Sequence, residues 1–154
     1  MGLDQYLHAK KYHSNSEWRP DEEKRLFSAL SELANVDGFM DEHPPSITLE
    51  VCVGYWRKQN AIHNWFVQNC QDGNDDCQQV SVDRDQLEEL RDTCRKVLAN
   101  PELAGELLPT AEGFFFGSTD YDRWYTEGLT YTADRVDKLL TMSNDWYFYY
   151  QSSW

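Results

Sequence analysis

Positive charge is scarce in this chain. Lys and Arg total 14 against 27 Asp and Glu, a net charge of -13. Such a field repels phosphate backbones, so no direct nucleic-acid binding is expected. No apolar run approaches the roughly 18 residues that a membrane span needs. The start lacks a basic region followed by an apolar stretch, so no export signal is expected. "MGLDQY" has Tyr6 where a myristoylation signal needs Ser or Thr. Cysteines number four, Cys52, Cys70, Cys77 and Cys94, and none forms a CxxC pair. Paired zinc ligands are therefore missing, and reduced thiols in a cytosol are the expectation. GxSxG, Walker, HExxH and GxGxxG patterns are also absent. No cofactor or metal is implied.

Aromatic residues are plentiful, at 14% of 154 residues. They supply enough apolar area for one folded domain despite the polar average. Alternation predicts strands at "GLDQYLHAKKY", at "SITLEVCVGYW" and at the closing "DWYFYYQSSW". In the second, Ile47, Leu49, Val51, Val53 and Tyr55 share a face. Helical spacing covers Asp21 to Ala34, with Leu26, Phe27, Leu30 and Leu33 on one side. A second helix runs through Ile62, Trp65 and Phe66. A third opens at Asp83 with Gln86 as a capping box and an inner stripe of Leu87, Leu90, Cys94 and Val97. "NPELAGELLP" reads as a short helix, "GFFFGS" as a short buried strand, and Ser118 or Thr119 as the cap of a last helix weakened by Gly128. "DEHPPS" reads as a break. The expected fold is a single α+β domain over residues 1–154. Its sheet is mostly antiparallel, with helices on one side.

The passage "VGYWRKQNAIHNWF" joins a strand to a helix N-terminus. Backbone N–H groups there favour anions, and Arg57 and Lys58 add charge. Tyr55 and Trp56 offer ring faces, and Asn60 and His63 offer hydrogen bonds. With Ser118 and Tyr121 from a second helix start, these eight residues suit a nucleotide-like ligand. The plain alternative is that Ile62, Trp65 and Phe66 are core, and that His63 is hydrogen-bonded within it. His63 is also the candidate acid or base if the chain is an enzyme on a nucleotide or phosphodiester.

Acidic charge is concentrated. Residues 1–70 net -3, residues 71–122 net -9 and residues 123–154 net -1. Asp85, Glu88, Glu89 and Asp92 recur about a turn apart, and Asp72, Asp75 and Asp76 precede them. Together they form a candidate surface for a basic partner protein. The alternative is a solvated helix face carrying its own Arg84, Arg91 and Arg95. "DGNDDC" resembles half of a calcium loop, but Cys77 stands where the loop needs Gly, and Asp83 where it needs Glu.

The stretches "GLDQYL", "VGYWRKQNAIHNWFV", "DGNDDC", "LPTAEGFFFGSTDYD" and "FYYQSSW" resemble a group of small acidic proteins encoded by bacteriophages and prophages. The resemblance covers most of the chain and carries no catalytic residues. It implies an accessory gene product acting in host cytoplasm, of a kind that often inhibits host enzymes or antiviral defence. The leading expectation is a stoichiometric counter-defence inhibitor with an acidic interface. The alternatives are a protein that sequesters a nucleotide signal and a His63 enzyme. A homodimer is compatible with so many aromatics in one domain.

Overall fold

The computed structural model of the chain describes residues 2–39 and 46–154. The expected break at 41–45 lies outside them. Two compact units are distinct, Met1–Ala9 with Cys52–Trp154, and Lys10–Val51. The architecture is α+β, with four antiparallel strands in one open sheet of order β2-β1-β4-β3. The strands are β1 (Asp4–Ser14), β2 (Ser46–Arg57), β3 (Val80–Val82) and β4 (Tyr147–Ser153). The helices are α1 (Asp21–Ala34), α2 (Asn60–Cys70), α3 (Arg84–Ala99), the single turn α4 (Ala104–Leu107) and α5 (Arg123–Leu140). No helix among the described residues is long and apolar enough to cross a membrane.

In the larger unit one sheet face is buried. Gln5, Leu7, Ala9, Gly54, Trp56, Phe148 and Tyr150 point into it. α2 meets it with Ile62 and Phe66, α3 with Leu87, Leu90, Cys94 and Val97, and α5 with Leu129, Ala133, Val136 and Leu139. Each of these helices repeats its apolar positions at three- and four-residue intervals, so one stripe faces the sheet. The Asp83–Gln86 capping box starts α3 as its spacing predicts. The guanidinium of Arg84 folds back to carbonyls just past the end of α5, donating to Met142 O at 3.0 Å and Ser143 O at 2.8 Å.

Two expectations need correction, and two features are new. "GFFFGS" is a turn, with Phe114 78% exposed and Phe115 at a left-handed φ of 64°. Only Phe116 of the three rings is buried, lying where a Cβ on Gly113 would stand. The last helix starts later than expected, capped by Asp122, whose carboxylate accepts from Tyr125 N at 3.0 Å. In β2 the buried face near the helices carries Gly54 and Trp56, whereas Val51 and Tyr55 stay exposed. Strand β3 is an addition, pairing Val80, Ser81 and Val82 with Tyr150, Tyr149 and Phe148.

In the smaller unit, α1 forms where its pattern predicts. Asp21, Glu22 and Glu23 in its first turn complement the helix dipole. Its buried residues are Phe27 and Ser31, and Leu26 and Leu33 remain exposed.

Candidate functional site

Main-chain geometry sends the side chains of residues 55–63 in different directions. Lys58 takes a left-handed φ of 56° between the end of β2 and the start of α2. The backbone there is fixed by Lys58 N donating to Leu3 O at 2.8 Å. Gly117 packs beside it, and a Cβ at Gly117 would lie 3.1 Å from the Lys58 Cβ.

Three of the expected ligand residues serve the interior. Trp56 is 2% exposed and donates from Nε1 to Thr132 Oγ1 at 2.8 Å. Asn60 pins the 110–118 loop, donating to Phe116 O at 3.3 Å and Ser118 O at 2.8 Å and accepting from Ala111 N at 3.2 Å. His63 is 1% exposed, with Nδ1 at 2.8 Å from Tyr150 Oη and Nε2 at 2.9 Å from Asp75 Oδ2.

The His63 bonds belong to a buried polar chain. Tyr150 Oη donates to Gln5 Oε1 at 3.2 Å, and Gln5 Nε2 donates to Gln59 O at 3.2 Å. Trp154 Nε1 donates to the other oxygen of Asp75 at 3.0 Å. Burial, with the charge of Asp75 behind it, holds the Tyr150 phenol well above its ordinary pKa, so it stays an O–H donor. The phenol oxygen meets His63 at Nδ1 and the Asp75 carboxylate meets it at Nε2, so both ring nitrogens are engaged. This chain ties α2, β4, β1 and the 71–79 loop together and leaves no His63 atom for a solute.

Tyr55 and Arg57 face outward instead. With Trp56, Gln59, Trp124, Glu127, Gly128 and Tyr131 they line an open cleft of about 370 Å³. Three- and four-residue steps along α5 put Trp124, Glu127, Gly128 and Tyr131 on one face of that helix. Tyr131 meets Trp56 edge-on at 5.9 Å, and its hydroxyl accepts from Tyr55 N at 3.4 Å. Arg135 stacks over the Tyr131 ring at 5.1 Å. Trp124, 62% exposed, stands at the rim. Gln59 lies across Gly128 and donates to Trp124 O at 3.1 Å.

The cleft is electrically lopsided. Arg57 makes no ion pair among the described residues. Its Nη2 and the Lys58 Cε lie 4.0 and 3.4 Å from the position that a Cβ on Gly2 would take, so the two cationic arms converge there. Tyr55 Oη donates to Asp4 Oδ1 at 2.5 Å, and that bond raises the phenol above its ordinary pKa. At the α5 side, Glu127 accepts from Arg123 Nε at 2.6 Å. A flat ring can stack on the exposed aromatics while an anionic group lies toward Arg57. Arg57 and Arg135 at the same walls disfavour a cationic guest.

Ser118 and Tyr121 are not part of this cleft. Ser118 Oγ accepts from Asp120 N at 3.0 Å at a recess of about 20 Å³ that it shares with Lys58, Asn60, Asp120 and Asp122. That volume is on the scale of a single water. Tyr121 packs edge-on against Tyr125 at 5.0 Å. Of the eight expected ligand residues, Tyr55, Trp56 and Arg57 line the cleft, and Lys58 joins Arg57 near Gly2. Sequence reasoning missed Trp124, Glu127 and Tyr131. Their signal was present as the aromatic-charged spacing of α5, but nothing in the order of residues set them opposite Tyr55.

The acidic candidates divide likewise. Asp85, Glu88 and Glu89 lie exposed along α3 and make no ion pair among the described residues. Asp92 pairs with Arg91 at 2.8 Å, which holds its carboxyl below the usual range. Arg91 and Arg95 reach Asp137 on α5, so much of the positive charge of α3 is spent between helices. Asp72 and Asp76 are exposed in the 71–79 loop, where Asp76 Oδ1 accepts from Gln78 N at 3.1 Å. Asp75 turns inward to His63 and Trp154. No group of three or more metal-ligating side chains occurs among the described residues. Compared with protein-family models, with curated proteins and with solved structures, the chain matches none.

Proposed function

We propose that this protein binds a small planar ligand carrying negative charge, a nucleotide-like molecule, in the cleft between β2 and α5. The observation that carries the reading is an aromatic-walled cleft with an arginine that makes no ion pair among the described residues. Its volume, about 370 Å³, falls in the usual range for small-molecule sites. The resemblance to phage and prophage proteins supplies a purpose. A protein made in quantity that holds a nucleotide signal would withdraw it from a host defence. Calorimetric titration with a panel of linear and cyclic nucleotides tests this. At least one should bind saturably, with affinity reduced about tenfold or more in Arg57→Ala and in Trp124→Ala. Both residues are outside the core, so unfolding curves should not change. Heats indistinguishable from dilution across the panel would remove the reading.

A second reading rests on the unneutralised carboxylates of α3. Asp85, Glu88 and Glu89 offer a basic host protein a negative face that costs nothing to uncover. Reversing the three with Asp92 to Lys should abolish inhibition of such a target and leave the fold intact. Undiminished inhibition by that variant would place the interface elsewhere.

A further inference from the structure

Among the described residues β2 stands at the edge of the sheet, with β1 as its one neighbour. In an antiparallel strand the N–H and C=O of one residue point to the same side, and successive residues alternate sides. The side is known at two places. Tyr55 N–H faces α5, bonding Tyr131 Oη, and Lys58 N–H faces β1, bonding Leu3 O. The carbonyl of Tyr55 and the N–H of Arg57 therefore point away from β1, along the free edge. Tyr55 and Arg57 both line the cleft, so an acceptor and a donor stand in fixed order along that wall.

We infer that this edge reads the ring of the guest and selects a 6-aminopurine, as in adenine, over its 6-keto counterpart. The inference rests on the cleft being a nucleotide site. The exocyclic amine donates to Tyr55 O, and the neighbouring ring nitrogen accepts from Arg57 N–H. In adenine the sugar is attached beyond that ring nitrogen, on the side away from the amine. That pose sends the sugar and phosphate toward the Arg57 end of the strand, where the Arg57 and Lys58 side chains converge. Hypoxanthine presents a carbonyl acceptor beside an N–H donor, and the next ring atom is a carbon that offers no acceptor. To satisfy the same edge it must turn over, which sends its sugar toward Tyr55 and away from both cations. The edge and the cations then cannot be satisfied together, and the mismatched groups stay unpaired. Gln59 and Glu127 at the far wall do not reverse the preference, since both can accept from an amine and Glu127 repels phosphate.

Adenosine and inosine 5′-monophosphates, titrated into the full chain at one salt concentration, test the order of donor and acceptor. The adenosine nucleotide should bind at least about tenfold tighter than the inosine nucleotide. Trp124→Ala should weaken both and leave the fold unchanged. Equal affinities for the two would overturn the edge-reading while leaving the cleft as a nucleotide site. Adenosine-nucleotide binding that survives Trp124→Ala undiminished would place the selecting groups outside this cleft and overturn it too. No binding by either nucleotide, with binding by others in the wider panel, would also reject it and keep the broader reading. No binding by any nucleotide would reject both.

Discussion

Gly128 sits in the middle of an 18-residue helix, where alanine is normally better by about 1 kcal/mol. Here a Cβ would stand 2.0 Å from Gln59 Oε1, because the Gln59 amide crosses the helix at that point. The obstructing atoms are the end of a flexible side chain, so Gly128→Ala should expel Gln59 rather than break α5. The Gln59–Trp124 hydrogen bond would be lost, at about 1 kcal/mol, which offsets the gain in helix propensity. The expected outcome is a urea midpoint close to the parent and a clear loss of ligand affinity, since the displaced amide enters the cleft. A stability lowered by several kcal/mol would mean that Gln59 cannot move. Unchanged affinity would mean that the floor at Gly128 is not part of the site. A sequence reader sees that glycine as a weak place in a helix. The structure makes it the clearance for a side chain from the opposite wall.

Whole elements were more legible than their faces. α3 was readable to its capping box and its four inward residues, because its apolar and polar positions separate cleanly at helical spacing. β2 was readable as a strand, yet its longest apolar stripe is the exposed face near Tyr55. Alternation identifies a strand but does not say which side the helices take. Here they take the side where Gly54 leaves room for the Trp56 ring, whose Cη2 would lie 2.8 Å from a Cβ at Gly54. β3 escaped because three residues give no period to count. "GFFFGS" misled because three rings in a row suggest burial, whereas Phe115 turns the chain at positive φ and only Phe116 is buried. The site was half legible for the same reason. Tyr55 and Arg57 stood out as recognition chemistry within one segment. Trp124 and Tyr131 lie far along the chain, and their meeting with β2 is a consequence of how α5 packs. His63 drew attention by its chemistry and proved to be an interior hydrogen-bonding group, its ring edge-on to Phe116 at 5.2 Å.

At the scale of the whole molecule, the buried acids that matter at high pH are thiols and phenols. Burial pushes the Cys94 thiol from 9.0 up to about 12, and burial with nearby Asp83 and Glu89 does the same to Cys70. Burial also raises the phenols of Tyr125 and Tyr150 above their ordinary 10.0. All of these groups keep their protons in the folded chain at a pH where the unfolded chain has lost them. Above pH 9 the unfolded state therefore binds fewer protons, and stability falls as pH rises. The contribution is whole below the unfolded thiol pKa of 9.0 and is spent by the folded value of about 12. One unit corresponds to about 1.4 kcal/mol, so Cys94 alone should remove on the order of 2–3 kcal/mol between pH 9 and pH 11. Cys70, only part-buried, should add less. Urea unfolding from pH 7 to pH 11 should give a plateau to about pH 9 and then a steep decline. Cys94→Ala should start lower, because it empties part of the core between α3 and α5, and should decline less steeply. A flat profile to pH 11, or the same slope with and without the thiol, would show that Cys94 ionises without the fold having to open.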